Sequence, residues 1–360
     1  MTHAAAGAIN LAALRELDRT GLLDGIDRAL VWELPLRTRF RGITRRDGIL
    51  LHGPAGWGEV APFWDYDADA CAPWLASALE QAHTGYADLP RHRETVDVNV
   101  TIPEVGEDRA RALVTASGAT TAKVKVAGAD DALAADIQRL RAVRDAIGPD
   151  GRVRIDVNGA WDLDTARRVL PLMDEAADGL EYAEQPCARV EDLAALRESV
   201  RVPLAADESV RLSDDPLAVR RLGAADIVVL KAAPLGGVRR ALALAERLAL
   251  PAVVSSALDT SVGIGAGSAL AAALPDLTHA CGLGTVTLLT TDVAVPSAVP
   301  RAGRLPVRTP HVSETLLAAA RADAELTERW QTRLGHMIGA LRTRREREAG
   351  GGALVGEIPL

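Results

Sequence analysis

Cysteine is scarce: Cys71, Cys187 and Cys281 are the only three in 360 residues, and they lie far apart. An odd set with no CxxC pair builds neither a disulfide framework nor a short-spaced metal site, so a reducing, cytoplasmic setting is expected. Aromatic residues are also few, at 3%, and 41 Lys+Arg stand against 49 Asp+Glu for a net charge of −8. Single-stranded nucleic acid asks for aromatic platforms beside basic residues, so nucleic acid is not an expected partner. The longest nearly uncharged apolar run, 264–274, is much shorter than the roughly 20 residues a bilayer-spanning helix needs. No membrane span is expected. The first ten residues lack the basic start and apolar stretch of a signal peptide, so no export is expected. Gly263-x-Gly265-x-Gly267 lacks the later glycine and acidic partner of a dinucleotide fingerprint, and the seven histidines form no HExxH motif.

What is present is the composition of a globular protein, 48% hydrophobic and 25% charged, in a chain long enough for one barrel-sized domain and a smaller one. Asp47-Gly48 reads as a hairpin turn between two β-rich segments, 30–36 and 49–52, and Trp74, Leu75, Ala78 and Leu79 follow at helical spacing. Residues 28–92 are therefore expected to form a small α+β unit, preceded by an arm, 1–27. From residue 93 the texture changes to short β-branched runs alternating with helical patterns. Eight such runs, centred on Val98, Val124, Ile155, Tyr182, Leu204, Val228, Val253 and Ala280, follow at intervals of 22 to 31 residues. One βα unit fits each interval, and eight units predict an α/β fold of the closed (β/α)8-barrel type over 93–310. Leu133, Ile137, Leu140 and Ile147 share a helix face, with Asp130-Asp131 expected at its start and Gly148 at its end. Residues 311–360 are expected to be a helical segment with a loose tail around Gly350 to Gly352.

In such a barrel the active site lies at the carboxyl ends of the strands, so polar residues that close apolar runs are the candidates. Five runs end this way, in Lys123-Val124-Lys125, Ile155-Asp156-Val157-Asn158, Glu184-Gln185-Pro186, Asp207-Glu208-Ser209 and Leu230-Lys231. Asp156, Glu184 and Asp207 end three consecutive strands and offer three oxygen donors, the set a hard divalent cation such as Mg²⁺ prefers. Lys123 and Lys125 share a strand face and need carboxylates close by. Runs two and six are four apart in a ring of eight, so Lys125 and Lys231 face each other across the mouth. A carboxylate substrate between them would meet one lysine able to take a proton and one able to stabilise charge or donate. Taken singly, each strand-end carboxylate is a plain helix cap, and Asn158, Gln185 and Glu208 are supports; the joint pattern points to a metal site.

Lys-x-Lys at 123–125, Asp156, Glu184 in Glu-Gln-Pro, Asp207 in Asp-Glu-Ser and Lys231 together resemble the enolase superfamily in its muconate-lactonizing subgroup, over about residues 28–310. Within it, Tyr182-Ala183-Glu184-Gln185-Pro186-Cys187, Ala206-Asp207-Glu208-Ser209 and Val254-Ser255-Ser256 look most like the o-succinylbenzoate synthase family of menaquinone biosynthesis. Trp57-Gly58-Glu59 resembles part of that family's capping domain. The resemblance implies Mg²⁺, or Mn²⁺ in its place, on Asp156, Glu184 and Asp207, with Lys125 as general base and acid. Lys231 then stabilises the dienolate from the opposite face, and Lys123 supports Lys125. The implied reaction is syn loss of water from 2-succinyl-6-hydroxy-2,4-cyclohexadiene-1-carboxylate. Ser255 and Ser256, through amides and hydroxyls, and one of Arg37, Arg39 and Arg41 are expected at the succinyl carboxylate. N-acylamino acid racemisation or dipeptide epimerisation would use the same residues, although Cys281-Gly282-Leu283 replaces the Asp-x-Asp typical of the epimerases. A metal-free Schiff-base lyase using a lysine is the alternative from another class.

Overall fold

A computed structural model of the chain describes residues 6–126 and 132–349. Asp130, Asp131 and Gly350 to Gly352 lie outside the described residues. Helix α1 (Leu11–Leu17) starts at Asn10, whose side chain accepts from the Ala13 amide at 3.2 Å. An antiparallel sheet follows, with β1 (Arg28–Phe40), β2 (Ile43–Gly53) and β3 (Gly56–Val60), and then α2 (Ala68–His83). Both faces of this sheet are buried, and the period of two sorts them. Ala29, Val31, Ile49 and Leu51 pack with Trp74, Leu75 and Ala78 of α2, whereas Leu30, Trp32, Leu34 and Leu50 join the barrel core.

The hairpin turn expected at Asp47-Gly48 is six residues earlier. Phe40 pairs with Ile43, so Arg41-Gly42 forms a two-residue loop with φ of 48° and 78°, the positive values such loops require. Gly48 is mid-strand, opposite Trp32, and a Cβ there would stand 2.8 Å from the Ala61 Cβ and 3.0 Å from the Trp32 ring. Close packing, not a turn, explains that glycine.

The second unit begins with β4 (Thr95–Asp97) and β5 (Val100–Ile102), then alternates α3 (Glu107–Ser117), β6 (Thr121–Lys125), α4 (Leu133–Ile147), β7 (Arg152–Asp156), α5 (Leu163–Ala176), β8 (Tyr182–Glu184), α6 (Val190–Arg197) and β9 (Leu204–Ala206). Two short helices, α7 (Glu208–Arg211) and α8 (Ala218–Arg221), precede β10 (Ile227–Leu230), α9 (Val238–Leu248), β11 (Ala252–Val254) and α10 (Ser261–Ala273). Among the described residues, seven parallel strands hydrogen-bond in the order β5-β6-β7-β8-β9-β10-β11. Val98 and the eighth run were expected to lie in strands, but both sit in isolated bridges, Val98 to Cys281 and Ser255 to Gly282. These bridges join the β11 side to the β5 side and close the barrel. Gly282 keeps the eighth run close, since a Cβ there would meet the Ser255 Oγ at 2.4 Å.

Gly148 ends α4 with φ 81°, and its amide donates to the Arg144 carbonyl. In α10, Gly265 and Gly267 allow close approach to Pro310 and Leu283. The chain then pairs β12 (Arg304–Pro306) with β4, and α11 (Glu314–Ala319) and α12 (Ala324–Ala349) return to the first unit. There Trp330, Leu334, Met337 and Leu341 share a core with Leu14, Leu23 and Trp74. No helix among the described residues is long and apolar enough to cross a membrane.

Candidate active site

The parallel register brings the strand-end residues together. Lys125 pairs with Asp156 in register, and Asp156 with Glu184, while Asp207 and Lys231 directly follow β9 and β10. Asp156, Glu184 and Asp207 are all at most 1% exposed, so their charges must be met inside the protein. Lys123 Nζ donates to Asp156 Oδ2 at 2.9 Å and to Glu184 Oε1 at 3.0 Å. Lys125 Nζ donates to the same Asp156 oxygen at 2.6 Å and to Asn158 Oδ1 at 2.5 Å. Lys231 Nζ donates to Asp207 Oδ2 at 2.5 Å.

The three carboxylates were expected to converge as a ready cluster, and here the geometry differs. Among the described residues no three Asp, Glu, His or Cys side chains are gathered in metal-ligand fashion. The reason is ionic: the Lys123 ammonium sits between Asp156 and Glu184, and Lys231 occupies an oxygen of Asp207. Charge remains unevenly met. Burial and the Asp156 carboxylate push Glu184 up to about 7, with Lys123 only partly opposing them. Against burial, the three lysines hold Asp156 well below the usual carboxylate range, and Arg211 and Lys231 bring Asp207 down to about 2. Glu208 Oε2 is buried without a hydrogen-bond partner among the described residues.

The two lysines of the β6 pair diverge. Against burial, Asp156 and Glu184 hold Lys123 well above its ordinary value. Burial pulls Lys125 below its ordinary value, and the Lys123 charge pulls the same way against Asp156 and Glu184. Lys125 is thus the easier of the two to find neutral.

Several members of the site were missed by sequence reasoning. Arg211, one helical turn after Asp207, donates to Asp207 Oδ1 at 3.0 Å, to Glu208 Oε1 at 2.7 Å and to the Tyr66 hydroxyl at 2.9 Å. Its i,i+4 spacing from Asp207 was the available signal. Gln185 is more than a support in name: its Oε1 accepts from the Asp207 and Ser209 amides at 2.9 and 3.1 Å. Phe40, Phe63, Tyr66 and Leu258 line the same cavity as Lys123, Lys125, Asp156 and Lys231. Phe63 and Tyr66 belong to Phe63-Trp64-Asp65-Tyr66, the densest aromatic cluster in an aromatic-poor chain.

That cavity, of about 40 Å³, adjoins an outer cleft of about 710 Å³, and the two share Phe40, Arg41, Phe63, Lys125 and Asn158. The hairpin tip overhangs it, with Phe40 5.8 Å from Lys125 Nζ and the Arg41 guanidinium 4.4 Å from the Phe63 ring. Arg39 and Arg41 line the cleft, whereas Arg37 turns to the Thr290 carbonyl at 3.1 Å. Ser255 and Ser256 line the cavity, but their amides are engaged, by the Leu230 and Gly282 carbonyls. The Ser256 hydroxyl also donates to the Gly282 carbonyl at 2.6 Å. With the Ser256 proton given to Gly282, the Ser255 hydroxyl rather than an amide is what this pair can donate to a ligand.

A family model described as Enolase C-terminal domain-like matches residues 107–311, and one described as Enolase N-terminal domain-like matches 31–82. An o-succinylbenzoate synthase from Thermobifida fusca (strain YX) is 56% identical over 301 residues, covering 84% of this chain and 93% of that protein. The chain belongs to the o-succinylbenzoate synthase family of the enolase superfamily. A second family member, from Mycolicibacterium smegmatis, is 51% identical over 310 residues, covering 85% of this chain and 94% of its own length. Among solved structures, the 2-chloromuconate cycloisomerase of Rhodococcus opacus 1CP has a TM-score of 0.70 at 22% identity. It is covered over 98% of its length by 82% of this chain, a likeness of fold. The family's muconate-lactonizing neighbours thus share the architecture expected from the strand-end pattern.

Proposed function

We propose that this chain is a carbon-oxygen lyase that removes water from 2-succinyl-6-hydroxy-2,4-cyclohexadiene-1-carboxylate to give 2-succinylbenzoate, a step of menaquinone biosynthesis. The observation that carries the reading is one cavity lined by Lys125 and Lys231 from strands four apart in the sheet, with Asp156 beside Lys125 and buried. Identity above 50% to o-succinylbenzoate synthases over most of the chain supports the substrate.

The residues fit a divalent cation. Asp156, Glu184 and Asp207 are an oxygen-only donor set, Glu184 is short of positive charge, and the Glu208 Oε2 acceptor beside Asp207 has no hydrogen-bond partner among the described residues. Such a set suits Mg²⁺, with Mn²⁺ as a substitute. When bound, the ion supplies positive charge at the substrate carboxylate. Lys125, whose hold on a proton is weakened by burial and by the Lys123 charge, takes the proton from the adjacent carbon. In a syn elimination the hydroxide leaves on that same face, so the Lys125 ammonium then protonates it and no second acid is required. Lys231, on the other side, contributes charge to the delocalised intermediate. Lys123 stays charged and holds Asp156 and Glu184 in place.

The test is ultraviolet monitoring of aromatisation. Turnover is expected with Mg²⁺, to be lost on adding a chelator and restored by excess Mg²⁺. Chelator-insensitive turnover, with borohydride trapping a lysine adduct, would favour the Schiff-base mechanism instead.

A further inference from the structure

Helix α12 lies outside both matched family segments, yet its side chains touch the wall of the substrate cavity, Arg333 at the most points. Arg333 donates to the Pro62 carbonyl at 3.2 Å, to the Phe63 carbonyl at 2.5 Å and to the Tyr66 carbonyl at 3.2 Å. Its guanidinium also lies 4.4 Å from the Trp64 ring and 5.0 Å from the Trp330 ring. One planar cation therefore fixes the backbone of 62–66 at three points and stacks on the aromatic ring between them.

That segment carries the site's aromatic wall. Phe63 and Tyr66 line the cavity and meet edge to face with centroids 6.2 Å apart. The Phe63 ring receives the Arg41 guanidinium of the hairpin tip, and the Tyr66 hydroxyl receives Arg211, whose other arm holds Asp207. A second tie runs in parallel: Asp47 Oδ1, midway along β2 of the hairpin, accepts from Trp64 Nε1 at 2.9 Å and from Trp330 Nε1 at 2.7 Å. The cavity wall and the hairpin that overhangs it are both braced on the same turn of α12.

We infer that Arg333 is a positioning residue for the substrate cavity, and that the C-terminal helix sets how tightly the ring-bearing substrate is held. The inference rests on the lyase reading of this site. It concerns the cavity wall and leaves the lysines untouched, so its signature is in substrate binding. Arg333→Ala should raise KM about tenfold while kcat stays within about threefold, and should weaken calorimetric binding of 2-succinylbenzoate in proportion. Arg333→Lys, which keeps the charge but not the planar fork, should fall between wild type and Arg333→Ala and covers the case in which the alanine variant fails to fold.

Gln331→Ala is the control for general loosening of α12, because among the described residues Gln331 hydrogen-bonds only the Asn10 backbone of the N-terminal arm. It should leave KM and product affinity unchanged at whatever cost in melting temperature. A folded Arg333 variant with lowered melting temperature but unchanged KM and product affinity would overturn the inference alone. Wild-type protein that neither turns over the cyclohexadiene nor binds the product would overturn the lyase reading with it.

Discussion

Lys125 and Lys231 look alike in sequence and differ in what surrounds them. Lys125 shares Asp156 with Lys123 and has its affinity for a proton lowered by burial, whereas Lys231 donates to a different carboxylate, Asp207. A group that must both take and return a proton is lost entirely on truncation. Lys125→Ala is expected to lower kcat by more than the ~10⁴ that marks the upper end for a single acid–base group, with Mg²⁺ affinity retained in calorimetry. Lys231 is asked only for charge, so Lys231→Arg should keep more dehydration activity than Lys231→Ala, because arginine supplies charge but is a very poor acid. Equal loss in both would mean that Lys231 transfers a proton. The placement of both lysines at the mouth was legible in the sequence because strand-end positions survive any uncertainty in helix boundaries. The ionic pairing was not: nothing in Lys-x-Lys says that Lys123 reaches two carboxylates, and the contribution of Arg211 needs the short helix after β9 to be known. Ser255-Ser256 was readable as a polar pair, but the commitment of its amides depends on the bridge to Gly282, which joins residues distant in sequence.

Elements were legible where period and length agree and misread where a dipeptide stood for a turn. Asp47-Gly48 has the composition of a hairpin loop, yet the strand runs through it because Gly48 lets Trp32 and Ala61 close over the backbone. Arg41-Gly42, the true loop, carries a weaker signal, with a non-glycine residue at positive φ. The capping unit holds two glycines whose demands differ in kind. At Gly42, φ is 78° and an added Cβ meets nothing within 4 Å, so alanine costs only its backbone preference, about 1 kcal/mol. At Gly58, on β3, an added Cβ would stand 2.0 Å from the Ala78 carbonyl oxygen of α2. Helix and strand would have to part, at a cost of roughly 3 kcal/mol or more by overpacking. Urea unfolding should therefore show Gly58→Ala well below Gly42→Ala in stability; a reversed order would mean that α2 can shift freely on the sheet. Since α2 also packs against α12 and Tyr66 lies 6.4 Å from Trp74, the tighter glycine bears on the cavity wall as well.

At the scale of the whole molecule, the barrel is closed by side chains as much as by strands. Its eighth position is two bridges and no strand, so the floor beneath the active site needs another tie. Arg154 on β7, fully buried, provides one: it donates to the Ala280 carbonyl at 2.7 Å on the far side of the ring and to Glu181 Oε2 at 2.5 Å, and lies 4.7 Å from the Tyr182 ring. Glu181 Oε1 in turn meets His279 Nδ1 at 3.0 Å. Arg154 in β7 and Glu181 just before β8 are thus bound to Ala280 and His279, which lead into the bridges. Against burial, His279 and Arg154 bring Glu181 from 4.5 down to about 2. A carboxyl depressed in the folded state contributes stability that is complete above its unfolded value and is lost as pH falls through the folded one. The Glu181 contribution should therefore be whole above about pH 4.5 and disappear toward pH 2, amounting to roughly 2 kcal/mol once its partial exposure is allowed for. Glu181→Gln keeps the shape but not the charge. Its melting temperature should lie below wild type at neutral pH, and the gap should narrow on acidification across that window. A gap that stayed constant from pH 7 to pH 3 would show that the Arg154 tie holds the barrel floor through packing and the Ala280 carbonyl, with the Glu181 charge incidental.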